Sequence, residues 1–171
     1  LEEFNTYRDT VFRSVYPEFK GSYSDLISFQ ETHSNSIEEK GTVDVTENSP
    51  TPFENLRLSM LNRESSGNYE AKNRLGYIGG YQFGAQALET LGYLKKGSFS
   101  KDKGNSAIYD SNSWTGKNNI NSVEDFKANT KVQDLAFEEN TDFNLKELQR
   151  LGVITENSTT KEVGGYLAAS H

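Results

Sequence analysis

Apolar positions recur at helical spacing in several stretches of the chain, separated by polar or glycine-rich segments. Phe4, Tyr7, Val11 and Val15 share one helical face and stop before Pro17, which predicts a first helix of three to four turns. A short apolar patch at Leu26, Ile27 and Phe29 follows. Residues 31–50 are polar and acidic and read as a linker or surface loop. Thr51-Pro52-Phe53-Glu54 combines a capping box with proline at the first helical position, so a helix is expected over 52–65. Gly67 is its expected stop. The apolar stripe of this helix is Phe53, Leu56, Met60 and Leu61, and Glu64 continues it at the C-terminal end.

Residues 68–84 alternate glycines (Gly76, Gly79, Gly80, Gly84) with Tyr77, Tyr81 and Phe83, a pattern that fits a β-hairpin or a tightly folded loop. A short helix is expected over 85–91, stopped by Gly92. Residues 95–121 form a long polar loop carrying Trp114. Ser122 is placed to cap a helix with Val123, Phe126, Leu135 and Ala136 inward. Asp142 is placed to start another with Leu145, Leu148 and Leu151, stopped by Gly152. Thr159 and Glu162 form a second capping box ahead of Val163, Tyr166 and Leu167. The expected fold class is mainly α with one small irregular or β insertion. Residues 1–50 read as a helical appendage with an acidic linker, and 51–171 as the principal domain. The start at Leu1 reads as a fragment, and the last helix as cut short at His171.

Charge and composition narrow the function classes. The chain holds 18 basic and 25 acidic side chains, a net charge of −7. Residues 1–70, with 6 basic and 13 acidic groups, carry all of it. Lys95, Lys96, Lys101 and Lys103 form the one basic cluster, diluted by Asp102, so nucleic-acid binding is not expected. No apolar run approaches the roughly 18 residues of a membrane helix, so membrane insertion is not expected either. There is no cysteine, which excludes disulfides, a thiol nucleophile and a thiolate metal site. The two histidines, His33 and His171, argue against a histidine-rich metal site or a Ser-His-Asp triad. No metal or cofactor is expected.

Glu64 is the leading candidate for chemistry. A carboxyl on an apolar stripe is desolvated, which favours its protonated form, and a proton-bearing glutamate is what a glycosidase uses as its general acid. The alternative is that Glu64 lies just past the core and pairs with Arg63 or Arg74. The neighbouring Tyr77, Tyr81, Phe83 and Trp114 fit sugar faces, and glycines let backbone approach a ligand. The same aromatics equally fit the core of a small hairpin.

Glu64-Ser65-Ser66-Gly67, followed by Gly76-Tyr77-Ile78-Gly79-Gly80-Tyr81-Gln82-Phe83-Gly84, resembles the lysozyme-like superfamily, in particular its soluble lytic transglycosylase and goose-type lysozyme branch. Gly165-Tyr166-Leu167-Ala168-Ala169 looks like that branch's third motif. The resemblance covers about residues 51–171. It departs from the branch at Gly80-Tyr81, where a small apolar residue is common before the Gln, and over Ala168-Ala169-Ser170-His171, which differs from the branch's usual Tyr-Asn pattern. It implies a lysozyme-like helical domain with Glu64 as general acid and Ser65 as a local orienting group. Tyr77, Tyr81 and Gln82 would line the cleft, and Tyr166 would hydrogen-bond near the acid.

The implied activity is that of a muramidase, cutting the β-1,4 bond between N-acetylmuramic acid and N-acetylglucosamine in peptidoglycan. The alternative ending is that of a lytic transglycosylase, which forms 1,6-anhydro ends and needs no second carboxylate. For the hydrolytic ending, Glu70 and Asp110 are the candidate second carboxylates. Glu54 lies roughly 15 Å from Glu64 along the helix, and capping already explains it. A reading of another class is a non-catalytic glycan-binding module using Tyr77, Tyr81 and Trp114. The implied partners are glycan strands, together with an immunity protein for an injected effector, or a phage or secretion particle. The implied place of action is the periplasm or cell wall, reached as a secreted effector or phage component.

Overall fold

The computed structural model describes residues 51–171; the expected first helix, the patch at 26–29 and the acidic stretch 31–50 lie outside the described residues. Five α-helices follow in order: α1 (Pro52–Ser65), α2 (Ala85–Thr90), α3 (Val123–Ala128), α4 (Thr130–Arg150) and α5 (Thr160–Ala169). Three short 3₁₀ turns, Gly104–Tyr109, Ser111–Ser113 and Lys117–Asn119, fill the polar segment between α2 and α3. The fold is mainly α. Among the described residues β-pairing is limited to isolated bridges, Lys72 with Ile78, Ile78 with Phe83 and Leu94 with Trp114. The glycine-rich segment is therefore a tightly folded loop in place of a hairpin.

Local sequence sets the helix ends. Both capping boxes form: Thr51 with Glu54 at α1, and Thr159 with Glu162 at α5. At α1 the left-handed position falls first on Ser66 (φ 55°), with Gly67 (φ 83°) behind it. Ser122 caps α3 through Asp125 N. The break expected at Asp142 is absent. α4 runs through it, and the chain breaks instead at Asn129, which ends α3 and caps α4 by accepting from Val132 N. No proline or glycine interrupts 130–150, so nothing local stops a helix of about 32 Å at 1.5 Å per residue.

α4 organises two apolar clusters. Its first half contributes Val132, Ala136 and Phe137 to the main core, with Met60 and Leu61 of α1, Ile78, Tyr81 and Phe83 of the loop, Leu88, Tyr93, Trp114 and Phe126. Its second half contributes Leu145 to a smaller cluster with Ile154, Val163 and Leu167, which seats α5. Leu56 of α1 packs against both. Leu148 borders the smaller cluster, whereas Leu151, expected inward, is exposed because α4 has already ended there.

The glycine-rich loop is held to α4 by one buried amide. The side chain of Gln133 is fully buried. Its Oε1 accepts from Gly80 N at 2.8 Å. Its Nε2 faces the carbonyls of Tyr69, Phe126 and Lys127 at 3.1, 2.9 and 3.0 Å. Gly79 lies against this amide at φ 80°, and a Cβ there would run into Gln133 Oε1. Gly80 lies against α1, where a Cβ would come within 2.5 Å of Leu61 Cδ1. The two glycines are thus needed for close approach to two different helices.

Replacing Gln133 with Leu keeps the volume but strands a buried N–H and several carbonyls. Each such group costs about 1–3 kcal/mol. Urea unfolding of Gln133→Leu is expected to show a loss of about 3 kcal/mol or more at unchanged m-value; a loss below about 1 kcal/mol would show that the amide does not hold the loop.

Candidate functional site

Glu64 lies in the last turn of α1 with its side chain about one quarter exposed. Its Oε1 accepts from Arg63 Nε at 2.9 Å. Of the two readings of Glu64, the pair with Arg63 is therefore the one formed here. Arg63 is 60% exposed, and a pair this open to water contributes little to stability. Ser65 is turned away from the carboxylate, its hydroxyl donating to Leu61 O of its own helix.

The loop residues do not share one role. Tyr81 is completely buried. Its ring stacks on Phe137 at 4.5 Å between centroids and meets Tyr69 edge-on, so its aromatic face is core and is not open to a ligand. Its hydroxyl joins a polar network at the α1–α4 contact. Arg57 Nη1 donates to Tyr81 Oη at 3.1 Å and pairs with Asp134 at 3.2 Å. Tyr81 and Tyr69 both donate to Asp134 Oδ1. Burial, and then the hydrogen bond to Asp134, push the Tyr81 and Tyr69 phenols up. Burial alone would lower Arg57, but the Tyr81 hydroxyl and the Asp134 carboxylate overcome it and raise the guanidinium. All three remain donors around one carboxylate.

Gln82 is half-buried and stands in the left-handed region at φ 53°. Its Nε2 donates to Gly79 O at 2.8 Å, which helps to hold a conformation that costs a non-glycine residue about 1–3 kcal/mol. Tyr77 is partly exposed at the other end of the loop, beside Gly84. Tyr166 is exposed on α5. Trp114 is buried, its Nε1 donating to Ile108 O, and so belongs to the core. Glu54 is occupied by the capping box. Asp110 caps the Ser111–Ser113 turn through Asn112 N, and Glu70 is exposed.

His171 joins the glycine-rich loop to α4. As a whole the residue is exposed, but its ring turns inward between Phe83 and Phe137, with centroids 5.7 and 5.4 Å away. Nε2 hydrogen-bonds Tyr81 O at 2.6 Å, so it carries the proton there, and Nδ1 accepts from Asn140 Nδ2 at 3.2 Å. The charges of Glu64 and Arg63 both act on this ring. His171 thus docks on the Tyr81 carbonyl, while Tyr77 lies against Gly84. Sequence reading passed over Arg57, Tyr69, Asp134 and His171. Arg57 carried a signal, since it lies four residues from both Phe53 and Leu61 on the apolar stripe.

Among the described residues no group of acidic and histidine side chains is arranged to hold a metal ion, and no helix is long and apolar enough to cross a membrane. Comparison of the chain with protein-family models, curated proteins and solved structures finds no match.

Desolvation of the ring holds His171 below the ordinary imidazole value. An imidazole lowered on folding adds stability that is present above its unfolded pKa of about 6.5 and is lost as pH falls through the folded value. The urea midpoint is therefore expected to drop from pH 7.5 to pH 5, and His171→Gln is expected to flatten part of that drop. Identical slopes for parent and variant would show that the ring is not docked.

Proposed function

We propose that this chain is a peptidoglycan-cleaving enzyme of lysozyme-like fold, a muramidase in which Glu64 is the general acid. The reading rests on one observation: Glu64 ends a capped helix onto which the glycine-rich loop is folded. The order of parts, with a helix ending in Glu-Ser and a glycine-rich loop folded back onto that helix through Gly80 and Leu61, supports it. Backbone strain at Gln82 of that loop is the kind of cost that functional sites keep.

In this reading a glycan strand lies across the end of α1 and displaces Arg63 from Glu64. Removal of water then favours the proton on the carboxyl. Glu64 delivers that proton to the glycosidic oxygen as the C1–O bond breaks, and the leaving sugar departs as a neutral alcohol. Hydrolysis then requires water at C1, assisted by a second carboxylate. Of the two candidates, Asp110 is engaged as a turn cap, leaving the exposed Glu70. That engagement favours, as the second reading, a transglycosylase ending in which the muramic acid 6-hydroxyl closes on C1 and no second carboxylate is used.

Glu64→Gln is nearly isosteric and cannot act as the acid. It is expected to lower cleavage of purified sacculi by about 10²–10⁴-fold at unchanged urea stability. Glu54→Gln is expected to stay within a few-fold of the parent. Mass spectrometry of the products separates reducing from 1,6-anhydro ends. Parent-like turnover by Glu64→Gln would remove Glu64 from the chemistry.

A further inference from the structure

An open cleft of about 420 Å³ lies between residues 72–76 and the turn at 101–109. Lys72, Arg74, Lys101 and Lys103 line it against the single carboxylate of Asp102. None of the four cations is ion-paired with another described residue. Lys72 Nζ is held over the Tyr109 ring at 4.0 Å. The floor is tied down on both sides. Asn105 donates to Leu75 O and accepts from Ala85 N, and Tyr109 donates to Gly76 O. Gly76, at φ 82°, lets the two walls close up, since a Cβ there would meet Asn105 Cβ at 3.2 Å. A rigid floor with unneutralised cations focuses a positive field on a chain whose net charge is −7.

The volume is within the range of small-ligand pockets, roughly 300–1,000 Å³, and is larger than one carboxylate or phosphate needs. It suits an anion together with its carrier. A nucleic acid fits poorly. The acidic chain repels a polyanion, and the Tyr109 face that could stack a base is already covered by Lys72. The loop leaving the cleft at Gly76 reaches Tyr81–Gln82 within six residues.

We propose that this cleft is a subsite for the carboxylates of the peptide stems that peptidoglycan carries on its muramic acid. The proposal rests on the peptidoglycan reading above. The glycan is cut near Glu64, and the cleft holds an adjoining stem by charge. Stem-bearing strands are therefore preferred over bare ones, and the preference is screened by salt.

Pull-down of Glu64→Gln protein on sacculi fragments immobilised through their glycan strands, either intact or stripped of stems by an amidase, tests this without cleavage. Binding to intact sacculi is expected to be about tenfold tighter in low salt and to lose that margin in about 0.5 M salt. Adding Lys101→Gln and Lys103→Gln, both exposed side chains, is expected to abolish the preference at unchanged urea stability. Equal binding to the two sacculi, or a preference that survives the double substitution, would overturn the proposal. So would lysine-dependent binding of a DNA duplex as tight as that of intact sacculi. Parent protein on stem-stripped strands reports Glu64 chemistry alone. Cleavage there without a stem preference sinks the subsite and spares the enzyme. A lysine-dependent stem preference without cleavage of either substrate sinks the enzyme and keeps the subsite.

Discussion

The Gln133 amide is the contact through which the helices and the glycine-rich loop come to share one core. A side chain in the first turn of α4 satisfies groups from three places at once: Gly80 in the loop, Tyr69 after α1, and the α3–α4 junction at Phe126 and Lys127. An apolar residue could fill the same space but could not satisfy them, and a buried polar group without a partner costs more than a hydrogen bond gains. The contact also dictates its neighbours. Gly79 must lack a side chain because the amide occupies that space. Asn129 ends one helix and begins the next, and Gln133 reaches back from there to the last carbonyls of α3, at Phe126 and Lys127.

With the loop anchored there, the Arg57–Tyr81–Asp134 network closes the other side of the same wedge. Tyr81 is apolar in its ring and polar only at its tip. The stack on Phe137 buries the ring, while the tip bridges α1 to α4. The same residue supplies a carbonyl to His171. One tyrosine thereby links α1, α4 and the chain's last residue, and it sets the backbone that continues into Gln82. The end of α1 is framed by fixed parts, while Glu64 and Arg63 remain open to water. In the proposed site, that division leaves the acid free to respond to a ligand while the scaffold stays in place.

Local signals were legible and non-local ones were not. Both capping boxes, the short helix after Gly84 and the Ser122 cap follow from residues within four positions of one another. Each is present as read. The failures come from contacts across the chain. Asp142 resembles a cap only while nothing says that the helix already exists. Once α3 and Gln133 require a start at Asn129, the chain runs helical through it. Tyr81 and Trp114 read as ligand platforms because glycine-rich surroundings favour both a loop and a close-packed core. Only packing against α4 and Phe126 decides for the core. Arg57 on an apolar stripe was a visible anomaly. Its meaning needed Asp134, far along the chain.

Two polar features among the described residues work under opposite constraints. The Arg57 network is half-buried and nearly neutral as a pair. It gains from a low local dielectric and changes little with salt. The cations at Lys72, Arg74, Lys101 and Lys103 have no carboxylate partner among the described residues and are exposed to water. Of the four only Lys72 is seated on a ring, that of Tyr109, yet the backbone beneath them is hydrogen-bonded on both sides. Exposed lysines alone would ask for no such floor. A floor that fixes the spacing of unpaired charges is what a ligand with charges of its own would select, and it lies on the same loop that passes the end of α1.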